Sequence, residues 1–138
     1  MAEIRSFEES DKASVIALWK NVFGYTEPRN DPATVIRDKL AFQRELFFVA
    51  TLDGTVVGTV MAGYDGHRGW IYSLAVSSQF RQQGIGRALV ERVERELAQR
   101  GCPKINLQVL ATNAATVGFY SKLGYHVEER VSMGKVLK

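Results

Sequence analysis

The sequence is poor in cysteine, in long apolar runs and in net charge, and each shortage excludes a class of protein. A single cysteine among 138 residues, Cys102, rules out an intrachain disulfide framework. No stretch approaches the roughly 20 apolar residues of a membrane span, and the first residues lack the apolar run of a signal peptide. We therefore expect a cytoplasmic protein without a membrane partner.

The excess of positive charge is small, +3 from 18 basic and 15 acidic residues. Since no long run of lysine or arginine and no interleaving of aromatic and basic residues is present, no nucleic-acid partner is expected. What the sequence does contain is apolar residues, 46% of the chain. A chain of this length can bury a core of its own, and we predict a single domain over residues 1–138.

Hydrophobic spacing predicts the element order β, α, α, β, β, β, α, β, α, β. Asp31-Pro32 is typical of a helix start, and Asp53-Gly54 between two apolar strands indicates a type I′ hairpin. Residues 125–138 are predicted to form one or two closing strands. The strand, helix and strand over 70–110 should form a right-handed parallel unit, and the hairpins before it are antiparallel. The predicted fold class is α/β (α+β), a mixed sheet with helices on both faces.

The most informative stretch is a glycine-bearing loop between an apolar strand and a long amphipathic helix. Gly84 and Gly86 lack a Cβ, so the backbone there can adopt unusual angles and approach a ligand closely. The amides of such a loop and the positive end of the helix dipole favour an anion, to which Arg81 and Arg87 add full charges. The pattern favours a pyrophosphate, although Gly-x-Gly alone also occurs in ordinary strand-to-helix turns.

Two well-known phosphate loops do not fit this stretch. The Walker loop requires a lysine directly after its second glycine, and no lysine follows either glycine here. The dinucleotide fingerprint requires a third glycine, and Leu89 stands in that position. The pattern that remains is Arg81-x-x-Gly84-x-Gly86.

That remaining pattern resembles the coenzyme A pyrophosphate loop of the GNAT superfamily of N-acetyltransferases. A second segment, Asn113 with residues 119–125, resembles the second cofactor motif of that superfamily. Both motifs occur in the expected order and on the expected elements. Residues 30–32, 63–69 and 101–105 further resemble a group of bacterial acetyltransferases within it. The resemblance covers essentially the whole chain and implies the GNAT acyl-CoA N-acyltransferase fold, with a mixed sheet of six to seven strands.

The resemblance also implies acetyl-CoA as co-substrate, without a metal, and direct transfer of its acetyl group to a primary amine of a small molecule or a peptide N-terminus. The pantetheine arm would lie between the strand at 72–76 and the strand at 104–109, and would pair with the backbone of Leu74 and Val76. The implied cofactor-binding residues are Leu74, Ala75, Val76, Arg81, Gln82, Gln83, Gly84, Ile85, Gly86, Arg87, Ala88, Asn113 and Tyr120.

Tyr120 is the candidate general acid. The departing thiolate of coenzyme A needs a proton, and a phenol with a pKa of about 10 keeps one at neutral pH. Two helical turns separate Tyr120 from Asn113, so both lie on one helix face. A tyrosine that packs on the sheet beside Val117 is the structural alternative.

No residue of the sequence stands out clearly as the general base. His67 is the candidate in the predicted hairpin loop, beside Asp65, because histidine titrates near neutral pH. A solvated loop histidine and a chain of water without a single base are the alternatives.

The acceptor side should come from the first two helices and their connection. Arg29 could bind a substrate carboxylate, and Asn30 and Tyr72 are further candidates. Glu27 or Asp31 could bind an amine, but Asp31 is better explained as a helix cap. Tyr25 lies in the same stretch.

Two alternatives stay open from the sequence. One is a non-catalytic module that holds coenzyme A, and the other is an acyltransferase that uses a longer acyl-CoA, since the loop contacts only the pyrophosphate. The sequence also leaves the oligomeric state open, with a homodimer among the options.

Overall fold

The computed structural model describes residues 2–24 and 27–138. The chain forms two compact units, Met1–Gln108 and Val109–Lys138, so that the prediction of one domain stays a prediction. The strands are β1 Glu3–Ser6, β2 Phe47–Leu52, β3 Thr55–Tyr64, β4 Gly69–Val76 and β5 Ile105–Leu107. The helices are α1 Lys12–Val22, α2 Pro32–Leu40, α3 Ile85–Gln99 and α4 Ala114–Lys122. No helix in the described part of the chain is both long and apolar enough to cross a membrane.

The first unit contains a mixed sheet with the strand order β1-β2-β3-β4-β5. The first three pairs are antiparallel, and β4 pairs with β5 in parallel after the crossover through α3. Asp53 and Gly54 have φ angles of 51° and 79°, as both central residues of a type I′ turn require. The predicted fold class, the hairpin and the parallel unit are thereby confirmed.

Helices cover both faces of this sheet. On one face, Val15 and Trp19 of α1 and Ile36 of α2 pack on Phe47 and neighbouring residues in a buried cluster. On the other face, α3 buries four side chains completely: Leu89, Val90, Val93 and Leu97. Gly58 of β3 allows this helix to approach, because a Cβ there would lie 3.1 Å from Leu89 Cδ1. The buried apolar faces of α1, α2 and α3 therefore hold these helices in place on the sheet.

The number of strands differs from the prediction of six to seven. In the described part of the chain the sheet has five strands, and residues 125–138, where one or two closing strands were predicted, form none. The apolar side chains of this segment are exposed: Val127, Val131, Met133, Val136 and Leu137. An alternating sequence becomes a strand only where a neighbour pairs with it and covers one face, and this segment has no such burial.

Candidate active site

The strand β4 contains a bulge in its middle. Thr59 of β3 pairs with Ala75, but Met61 pairs with Tyr72, so two residues of β4 oppose one residue of β3. One of those two, Ser73, has a φ of 53°. A bulge of this kind bends its strand and increases the local twist.

A buried hydrogen-bond chain supports the bulge from the α1 side. Trp19 Nε1 donates to Thr59 Oγ1 over 2.8 Å, and Thr59 Oγ1 donates to the Ser73 carbonyl over 2.9 Å. Thr59 is fully buried. Because each buried polar group has its partner, the chain fixes the bulge rather than leaving it strained and unpaired.

The pairing between β4 and β5 ends just before the bulge. Residues 69–71 pair with residues 105–107, and no strand of the described chain pairs with residues 72–76 on that side. The backbone edge at Leu74 and Val76, predicted to receive the pantetheine arm, is therefore left without a strand partner. Arg81 Nε lies 3.4 Å from the Val76 carbonyl.

The loop after β4 leads to an uncapped helix start. Gly84 has a φ of 80° and stands at the N-cap of α3, where no side chain accepts a hydrogen bond and no acidic residue lies in the first turn. The amides of residues 85–87 have no acceptor among the residues that the structure describes. Free first-turn amides at the positive end of a helix of 15 residues are suited to an anion.

Two details of this loop differ from the sequence-based expectation. Gly86 lies inside α3 and is not among the glycines with positive φ, whereas Gln82, which was expected only to supply an amide, has a φ of 62°. The charge of Arg87 is also partly neutralised, because its Nε lies 3.2 Å from Glu91 Oε2 in an exposed ion pair. Gly84 and Arg81 are therefore the loop residues that best fit the prediction of an anion-binding loop.

The second unit contains Asn113 at the N-cap of α4 and Tyr120 on the helix itself. Asn113 Oδ1 accepts a hydrogen bond from the Thr116 amide at 3.1 Å, so this side chain caps the helix. Tyr120 is 7% exposed, and the rings of Phe119 and Tyr125 meet it edge-on at 5.0 and 5.5 Å. Burial raises the pKa of the Tyr120 phenol above its ordinary value, which keeps it protonated at neutral pH.

His67 lies in the loop before β4. Its amide and that of Arg68 donate to Asp65 Oδ1 at 2.8 and 2.7 Å, and these bonds, that of Arg68 first, hold the pKa of the Asp65 carboxyl below its usual range. The loop at Gly84 follows the other end of β4. The eight residues of that strand therefore separate His67 from the phosphate loop by about 25 Å.

Most of the residues predicted to bind the acceptor lie on the connection between α1 and α2. Arg29 and Asn30 lie in a single 3-10 turn between α1 and α2, with the Asn30 amide bonded to the Glu27 carbonyl. Asp31 Oδ2 accepts from the Thr34 amide at 3.2 Å, which confirms the helix cap. Tyr25 lies outside the described residues.

Tyr72, by contrast, lines a cavity of about 340 Å³ together with a residue that the sequence analysis missed. Lys39 Nζ donates to the Tyr72 hydroxyl at 3.0 Å and to the Ala62 carbonyl. The side chain also lies over the Tyr72 ring, 5.3 Å from its centre. The signal was present in the sequence, since Lys39 follows Val35 and Ile36 by four and three residues and so occupies their apolar face.

Comparison with known proteins is consistent with this geometry. The model of the acetyltransferase (GNAT) family matches residues 12–125. An acetyltransferase of Yersinia enterocolitica is 46% identical over 135 residues, which cover 98% of this chain and 95% of that protein.

Two solved structures that align over nearly the whole chain share its fold. Ard1 from Thermoplasma volcanium aligns with a TM-score of 0.82 at 27% identity, over 92% of this chain and 84% of that one. PaiA N-acetyltransferase from Thermoplasma acidophilum, solved in complex with coenzyme A, aligns with a TM-score of 0.82 over 95% and 93% of the two chains. At 21% sequence identity, the likeness to this protein is evidence for the fold alone. With the family model matching most of its length, the chain belongs to the GNAT family of N-acetyltransferases.

Proposed function

We propose that this protein transfers the acetyl group of acetyl-CoA directly to a primary amine of a small molecule or a peptide N-terminus, with Tyr120 as general acid. The observation that carries the proposal is the uncapped start of α3 after the unpaired edge of β4. The amides of that helix start would hold the pyrophosphate, and the edge at Leu74 and Val76 would pair with the pantetheine arm. The complex of the PaiA N-acetyltransferase with coenzyme A supports the choice of ligand.

The proposed reaction joins the acceptor nitrogen to the carbonyl carbon of the thioester and then breaks the carbon–sulfur bond. The sulfur departs with the bonding electron pair, and the Tyr120 hydroxyl gives it a proton. Burial raises the pKa of the Tyr120 phenol, so that at neutral pH the hydroxyl still carries the proton that the departing sulfur needs. Acetyl transfer then needs no acyl intermediate on the protein.

The acceptor amine must lose a proton before it attacks. His67, which is exposed in the loop before β4, is proposed as the base that takes this proton, and a chain of water without a single base is the alternative. Arg29 and Asn30 are proposed as acceptor contacts on the connection between α1 and α2, and Tyr72 as a further contact on β4.

The substitution Tyr120→Phe tests the acid directly. It keeps the buried ring and removes only the hydroxyl, so we expect kcat for thiol release to fall by about a hundredfold or more while coenzyme A affinity by calorimetry stays within about twofold. Tyr125→Phe is the matched control, since it removes the hydroxyl of the ring that meets Tyr120 edge-on. Equal single-turnover rates for Tyr120→Phe and the original protein would contradict the acid role.

A screen of amines and peptide N-termini, read as thiol release from acetyl-CoA, identifies the acceptor class. Thiol release that depends on an added amine is the expected result. The same screen with a longer acyl-CoA distinguishes the alternative donor, and a protein that binds coenzyme A but releases no thiol with any acceptor would contradict the proposed activity.

A further inference from the structure

The cavity between α2 and β4 contains a buried cation that the proposed reaction does not use. Lys39 is 5% exposed, although it lines this cavity of about 340 Å³. An ammonium group has three N–H donors. Among the residues that the structure describes, the Ala62 carbonyl and the Tyr72 hydroxyl take two of them, which leaves one donor for a ligand.

Both partners of the Lys39 ammonium are neutral, and no carboxylate of the described chain forms an ion pair with it. The acidic groups nearest to it along the chain have other partners. Asp38, whose side chain is 67% exposed, pairs with Arg37, and Glu45 pairs with Arg100 at 3.1 Å. The charge of Glu45 acts on Lys39 without forming an ion pair with it. A buried charge without a direct partner is unfavourable, and a bound anion would reduce that penalty.

The rest of the cavity wall is largely apolar. Val35 and Phe42 lie on the α2 side, and Met61 and the Tyr72 ring lie on the sheet. Asp38 also lines the cavity, but its charge is solvated and compensated by Arg37. The surroundings therefore suit a molecule with one carboxylate and an apolar group.

We propose that this cavity is a carboxylate-binding pocket in which Lys39 determines specificity, and that it selects an acceptor amine carrying both a carboxylate and an apolar group. The third N–H of Lys39 donates to the carboxylate, and the Tyr72 hydroxyl, which accepts from Lys39, donates its own proton to the same ligand. The carboxylate site itself stands on the geometry of Lys39, and only its assignment to the acceptor rests on the proposed function.

The charge of Lys39 makes the binding depend on pH in a defined direction. Burial lowers the pKa of Lys39 to about 8; Glu45 acts to raise that pKa and Arg100 to lower it. A carboxylate binds the protonated form, so its affinity is full below pH 8 and falls as the pH rises above it. A neutral ligand of the same shape has no such dependence.

Calorimetry with phenylacetate and phenylacetamide tests the pocket without any turnover. At pH 7 we expect phenylacetate to bind about tenfold more tightly, the effect of one hydrogen bond to a charged group. The preference should disappear at pH 9.5. Lys39→Met should abolish it at both pH values, whereas Lys20→Met, at an exposed position on α1, should leave it unchanged. Thermal unfolding of each variant establishes that it folds.

Three outcomes would overturn the proposal. They are equal binding of the two probes, no binding of either in the millimolar range, and phenylacetate affinity that rises with pH. Failure of this inference is separable from failure of the proposed function. Amine-dependent thiol release without phenylacetate binding overturns the pocket alone, and phenylacetate binding without thiol release from any acceptor overturns the acetyl transfer alone.

Discussion

The loop that begins α3 and the pocket between α2 and β4 are built from different parts of the chain. The loop offers backbone amides within a few residues of Gly84, and its side chains are exposed. The pocket offers side chains, above all Lys39 and Tyr72, which are brought together from α2 and β4. A site made of main-chain groups needs one local conformation, whereas a site made of side chains needs the tertiary fold first.

The largest effect is expected from a substitution in the loop that begins α3. Gly84→Glu places a side chain at a φ of 80° and a negative charge beside the proposed phosphates, so coenzyme A affinity should fall about a hundredfold or more. Gly84→Ala separates the two causes, because it keeps the strain and omits the charge. Calorimetry with coenzyme A measures both variants.

A matched glycine provides the control for Gly84→Glu. Gly66 has a φ of 94° in the loop between β3 and β4, and as at Gly84 no atom lies within 4 Å of an added Cβ. Gly66→Glu should strain its own turn and leave coenzyme A binding unchanged. Unaltered affinity in Gly84→Glu, or an equal loss in Gly66→Glu, would contradict the phosphate role of the α3 start.

A smaller effect should follow from changing the bulge that lies between the two regions on β4. Thr59→Val keeps the shape of the side chain but leaves Trp19 Nε1 and the Ser73 carbonyl without their shared partner. We expect the free energy of unfolding to fall by about 2 kcal/mol, measured by urea denaturation. Thr55→Val, at an exposed position of the same strand, should change it by less than about 0.5 kcal/mol. Equal stabilities of the two variants would show that the hydrogen-bond chain does not support the bulge.

The features that depend only on neighbouring residues could be predicted from the sequence. Gly84, the Asp31 cap and the Asp53-Gly54 turn each depend on residues within one turn of the chain, and the structure confirms these conformations. The resemblance added the GNAT fold to the α/β class that the hydrophobic spacing predicts, and the family match supports it. The roles of the loop residues and of Tyr120 stay predictions.

The features that depend on distant partners could not be predicted in the same way. The positive φ of Ser73 depends on the register of β4 against β3 and on a threonine 14 residues earlier. Lys39 is an ordinary helix residue until β3 and β4 cover it. The strand prediction for 125–138 was wrong because alternation is a local signal, and no strand in the described part of the chain pairs with this segment.

The smallest effect is expected on the stability of the protein when Lys39 is replaced. The pKa of this group is about 8 in the folded protein, below its ordinary value of 10.5. Between pH 8 and pH 10.5 the unfolded chain therefore binds a proton that the folded chain does not, and the stability of the original protein should rise with pH across that window. Methionine does not titrate and fills a similar volume. Lys39→Met should thus be more stable than the original protein by about 1 kcal/mol at pH 7, after the loss of two hydrogen bonds is included.

Urea denaturation at pH 7 and pH 10 measures this difference, with Lys20→Met as control. The advantage of Lys39→Met should shrink at pH 10, because the original protein no longer buries a charge there. A variant that is less stable at pH 7, or an advantage that does not change with pH, would mean that the two neutral partners already compensate the ammonium. A gain in stability accompanied by the loss of phenylacetate binding would instead show that the fold is weakened by a charge whose counter-ion is the ligand. That would set the pocket apart from the α3 loop, whose proposed ligand contacts are neutral backbone amides.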